Sequence, residues 1–84
     1  MTRKKKKMGG RKLSPVKAEA LIRVFEKIGY KISMQTGAHV IMRRPGKELP
    51  LIIPKHGGQD VRKGIIQNLL KTAELDRDKY FDLL

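Results

Sequence analysis

The sequence predicts an α+β fold: a three-stranded antiparallel sheet with helices on one face, in the order α-β-β-β-α. Three observations predict it. Apolar residues recur at helical spacing in the first third of the chain and again in the last third. Between them lie three short runs of alternating or β-branched residues, separated by turn residues. The links between those runs are too short for a parallel crossover, so the strands form an antiparallel meander.

Each element has its own signals. Ser14-Pro15 suits an N-cap and a first helical position. Val16, Leu21, Val24, Phe25 and Ile28 then share one face, with Arg23, Glu26 and Lys27 on the other, predicting a helix over about 15–28. Gly29 ends it as a C′ residue. Tyr30, Ile32 and Met34 alternate with polar residues, the pattern of a half-buried strand over 30–35. Thr36-Gly37-Ala38 is a short turn, and 39–44 is a second strand. Pro45-Gly46-Lys47-Glu48 is a turn by composition. The third strand, 49–54, carries Pro50 and Pro54, which restrict it to an edge or sit near its ends.

Residues 55–59 form a loop, and Asp60 is placed to cap a second helix, where its charge suits the positive end. Val61, Ile65, Ile66, Leu69, Leu70 and Ala73 line that helix. Gly64 within it costs about 1 kcal/mol relative to Ala, which suggests close packing or close approach to a ligand. Asp76 caps a last short helix whose apolar face is Tyr80, Phe81 and Leu84. Helices on one face leave the other sheet face open. This is the layout of the double-stranded-RNA-binding domain, an analogy of fold and not of function.

Composition bounds the function. With 84 residues the chain is near the lower limit for an unassisted core, too short for a Rossmann sheet or a TIM barrel. The absence of Cys removes disulfides, thiolate metal sites and a Cys nucleophile. No apolar run approaches a membrane span, and no signal peptide is visible, so a soluble cytoplasmic protein is expected. The net charge of +12, from 20 basic and 8 acidic residues, calls for a polyanion such as nucleic acid. That charge is uneven. Residues 1–12 carry seven basic side chains and no acid, residues 13–59 a net +5, and residues 60–84 none. The expected organisation is a disordered basic tail over 1–12 and a folded domain over 13–84. The tail is either a solubilising arm or an electrostatic arm for a nucleic-acid backbone.

Few residues are equipped for chemistry. No HxxH, HxH or DxD spacing offers a metal site, and no Gly-rich phosphate loop or GxSxG elbow occurs. No cofactor is expected. An enzyme of this composition leans on a histidine, of which there are two. His39 begins a strand directly after a turn and shares a face with Ile41 and Arg43, while Val40 and Met42 take the other. A neighbouring Arg43 would disfavour the imidazolium and bind phosphate. A lone strand histidine is nevertheless more often structural than catalytic. His56 sits in a Gly-rich loop ahead of a helix, as a solvated residue or a phosphate contact.

The ordered set Glu26-Lys27-Ile28-Gly29-Tyr30, Gln35 to Arg43, Leu51-Ile52-Ile53-Pro54-Lys55-His56, Lys63 to Lys71 and Asp78 to Leu84 resembles the HicA (YcfA-like) toxins. These are small mRNA interferases of type II toxin–antitoxin systems, and the likeness runs from about Lys12 to Leu84. The resemblance implies a double-stranded-RNA-binding-like fold, mRNA cleavage, and neutralisation by a cognate HicB-type antitoxin. The family's catalytic histidine, in a Gly-Ser-His motif, falls on His39, with Gly37 matching and Ala38 in place of Ser. If that Ser hydroxyl orders the turn or touches substrate, its absence lowers activity.

Both lines converge on a metal-independent transesterification. His39 serves as general base or acid, a ribose 2′-OH attacks the adjacent phosphate, and a 2′,3′-cyclic phosphate and a 5′-OH result. Arg43 and other nearby cations stabilise the developing charge. Gly37, Arg43, Arg44, Lys55, His56 and Lys63 are the candidate RNA-binding residues. Lys55, His56 and water all remain open as the second proton-transfer group. A non-catalytic RNA-binding module, or a surface serving only a protein partner, are the competing readings. Few aromatics imply weak base stacking and loose sequence preference.

Overall fold

A computed structural model describes Lys12–Leu84. Apart from Lys12, the basic tail lies outside the described residues. The elements are α1 (Ala18–Lys27), β1 (Lys31–Gln35), β2 (His39–Arg43), β3 (Leu51–Pro54), α2 (Lys63–Ala73) and α3 (Arg77–Leu83). The α-β-β-β-α order is the one the sequence predicts, and the sheet is antiparallel in the order β1-β2-β3.

α1 starts three residues later than its apolar pattern suggests, and Ser14 does not cap it. Lys17 holds the N-cap position, with extended backbone and no side-chain cap. The reason is a backbone bridge. Val16 N–H donates to Val61 O at 3.2 Å, and Val61 N–H donates to Val16 O at 2.7 Å. Residues committed to extended pairing cannot also turn into a helix. The other end follows the prediction. Gly29 has φ 104, its N–H donates to Glu26 O, and Tyr30 N–H donates to Phe25 O. These are the two bonds of a Schellman closure, and the Phe25 and Tyr30 rings add its apolar contact, edge to face at 6.0 Å.

The sheet has a covered and an open face. Val40 and Met42 of β2 and Leu51 and Ile53 of β3 are buried. They meet Leu21, Val24 and Phe25 of α1, Ile66, Leu69 and Leu70 of α2, and Tyr80 of α3 in one core. The first strand differs from its half-buried prediction. Tyr30 is buried just ahead of it, but every residue of β1 is exposed. α1 and α2 make their main sheet contacts with β3, the far edge, and β1 at the opposite edge stays exposed. A bulge at Ser33 also breaks its alternation, since Ile32 pairs with Met42 and Met34 with Ile41. Leu51–Pro54 forms the opposite edge, with Pro50 just outside and Pro54 as its last residue, where a missing N–H does least harm.

The start of α2 also departs from expectation. Val61 belongs to the bridge with Val16, and Arg62 is the N-cap. Asp60 therefore lies two residues too early to cap, and its carboxylate pairs with Lys17 at 3.1 Å instead. α2 closes on Glu74 in the left-handed region, with φ 57, and the Glu74 carboxylate pairs with Lys47. Asp76 caps α3 as predicted, its Oδ1 accepting the Lys79 N–H at 2.8 Å. Lys27 Nζ donates to Leu83 O at 2.8 Å and ties α3 to α1.

Candidate active site

The turn that presents His39 is built by a threonine. Thr36 Oγ1 accepts from His39 N–H at 3.0 Å and from Ala38 N–H at 3.2 Å. Thr36 N–H donates to His39 O at 2.9 Å, and Lys55 N–H donates to Ala38 O at 2.7 Å. A hydroxyl thus takes the place of a backbone carbonyl across the turn, as short hydroxyl side chains do. The backbone of His39 is held on both sides, and its exposed side chain stands on the open face with Ile41 and Arg43. Ala38 offers no hydroxyl, but the ordering of the turn rests on Thr36. The signal in the sequence was a Thr three residues ahead of the histidine, and composition-based turn reading passes over it.

His56 comes to the same place by a different route. His39 pairs with Pro54 across β2 and β3, and His56 follows two residues later. The two imidazoles lie edge to face, their centroids 6.0 Å apart at 74°. The loop that carries His56 is anchored. Gln59 N–H donates to His56 O at 2.7 Å, and Gly58 takes φ 86, a conformation that favours glycine. Lys17 Nζ donates to Gly58 O at 2.7 Å. Beside His56 opens a cavity of about 320 Å³ lined by Pro54, Gln59, Asp60, Val61, Arg62 and Ile65.

The cations are distributed differently from the sequence expectation. Arg43 shares the face of His39 but sits at the other end of β2, and four residues along a strand span about 13 Å. It is therefore not a neighbour of the His39 ring. Arg44 lies over Gly29 at the end of α1, where a Cβ on that glycine would come within 3.2 Å of its Nε. Lys55 reaches toward α1, its Nζ 3.8 Å from Glu19. Lys63 lines a separate cavity of about 320 Å³ with Lys12, Leu13, Gly64, Gln67 and Arg77. A Cβ on Gly64 would meet nothing within 4 Å, so close packing does not require glycine there. The cation on the His56 cavity is Arg62, which sequence reasoning missed because it stands outside any motif. Gly37 lies inside the Thr36 turn, in open surroundings.

The arrangement can do acid–base work at an exposed surface. Two imidazoles stand together, a guanidinium borders the adjoining cavity, and a hydroxyl fixes the backbone beneath. Among the described residues, no group of three His, Asp or Glu converges to hold a metal ion. No described helix is long and apolar enough to cross a membrane.

Comparison with known families gives a match over most of the chain. Residues 18–75 fit the family described as HicA toxin of bacterial toxin-antitoxin. The matched span runs from the first residue of α1 to just past α2 and takes in both histidines, while α3 lies beyond it. No curated protein matches the chain. With more than half its length inside that span, the chain belongs to the HicA toxin family of toxin–antitoxin systems.

Proposed function

We propose that the protein is an endoribonuclease that cuts mRNA by transesterification, with His39 as its catalytic group, and that a HicB-type antitoxin neutralises it in the cytoplasm. The observation that carries this reading is the His39 imidazole, held on the open face by the Thr36 turn and placed 6.0 Å from a second imidazole. His39 takes the proton of a ribose 2′-OH as that oxygen attacks the adjacent phosphorus. The P–O5′ bond breaks, leaving a 2′,3′-cyclic phosphate and a 5′-OH. Arg62 is the cation best placed for the phosphate charge, since Arg43 lies at the far end of its strand.

Substrate and antitoxin are drawn to the same side of the molecule. The open face carries apolar Met34 and Ile52, both more than half exposed, and Arg43 at the end of β2. An acidic protein with apolar side chains would cover them and deny RNA access to His39. The test is cleavage of a single-stranded RNA by parent and His39→Ala protein in EDTA, scored by new 5′-OH ends. The variant is expected to be slower by about 10²-fold or more. Equal rates would remove His39 from its role, and salt-sensitive binding with no new ends from the parent would leave only an RNA-binding module.

A further inference from the structure

Resting on the reading of His39 as the base, we infer that His56 is the general acid of the same reaction, protonating the departing 5′-oxygen. Attack and departure occur on opposite sides of phosphorus, so one step needs a base and an acid on two sides of one phosphate. A phosphoryl group seated over the His39–His56 pair has its two apical oxygens each within hydrogen-bond reach, about 3 Å, of a different ring. Ring centroids 6.0 Å apart match that requirement, and the 74° between the planes keeps the rings from stacking. Both side chains are exposed and accessible to substrate.

The surroundings assign the roles. The cavity with Gln59, Arg62 and Asp60, whose carboxylate is paired with Lys17, adjoins His56, so the nucleotide linked through the 5′-oxygen lies there, with Arg62 beside the phosphate being cleaved. His39, on the open sheet face, takes the side of the attacking 2′-oxygen. Lys55 has a carboxylate partner, its Nζ lying 3.8 Å from Glu19. In the step, the 2′-O–H proton passes to His39 and the 2′-O–P bond forms. The P–O5′ bond breaks with its electron pair on the 5′-oxygen, which takes a proton from the His56 imidazolium. Exchange with water then resets both rings.

The experiment compares two RNA substrates, one ordinary and one with sulfur in place of the bridging 5′-oxygen. A thiolate leaves without protonation, so only the ordinary substrate needs the acid. His56→Gln is expected to slow cleavage of ordinary RNA by about 10²-fold or more while staying within about tenfold of the parent on the sulfur substrate. His39→Ala is expected to be slow on both. If His56→Gln is equally slow on both substrates, His56 holds substrate or loop and the acid role is overturned. If it is unimpaired on ordinary RNA, the donor is Lys55 or water, and the assignment also falls. Should the parent cut neither substrate, the endonuclease reading itself fails, an outcome visible before any variant is compared.

Discussion

Thr36 shows how much one hydroxyl can position. It accepts two backbone N–H groups and sets the peptide that carries His39. Thr36→Val is expected to lower kcat about tenfold with little change in KM and to cost about 1 kcal/mol of stability, the usual worth of such hydrogen bonds. Thr36→Ser should restore both, because it keeps the oxygen, and steady-state kinetics with urea unfolding reads the two effects. Tyr80 makes the opposite point. Its hydroxyl is buried without a partner, as is that of Tyr30. Burial raises the Tyr80 pKa above its ordinary 10.0. A raised pKa means that the folded state holds its proton more tightly. That stability is present below the unfolded value and is lost as pH rises through the folded one. Tyr80→Phe is expected to stabilise the fold by about 1 kcal/mol at neutral pH and to flatten the decline above about pH 10. Urea midpoints of both proteins at the two pH values check it, and a less stable variant at neutral pH would refute it. The catalytic candidate His39 was legible in the sequence from its turn and strand. Arg62 was not, because nothing local distinguishes a cation that borders a cavity from one in solvent.

At the scale of the element, helix ends separate what local chemistry decides from what the chain path decides. Gly29 and Asp76 behave as their residue types predict, as a left-handed C-terminal stop and an N-cap. Ser14 and Asp60 are equally good caps by type, yet neither caps a helix. The Val16–Val61 bridge holds both neighbourhoods extended, and Asp60 turns to Lys17. A pairing between residues 45 positions apart is invisible to a local window. Gly29→Ala is expected to cost about 1–2 kcal/mol, since an L residue would have to adopt φ 104. The new methyl would also press on Arg44 at 3.2 Å. A fall in the urea midpoint with unchanged slope checks it. β1 carries the same lesson in reverse. Its alternation reads as half-buried, but only its position at an edge away from α1 and α2 decides that it is exposed.

On the proposed reading, charge across the whole molecule divides between affinity and chemistry. Residues 1–12 hold seven of the basic side chains, and the histidine pair lies elsewhere on the chain. Deleting residues 1–12 is expected to weaken RNA binding and to make the plot of log affinity against log salt shallower by up to about 5. Cleavage at saturating RNA should survive, and binding titrations over a salt series beside a cleavage assay check both. Loss of cleavage at saturation would place the tail in the catalytic machinery. By itself the sequence determined the order of elements, the two faces of β2 and the histidine at its start, because these follow from periodicity and turn chemistry within a few residues. Tertiary structure alone decided that His56 stands beside His39, that Arg62 rather than Arg43 borders the site, and that β1 is uncovered. Those facts depend on which distant segments pair, and pairing is set by the free energy of the whole core rather than by any local run.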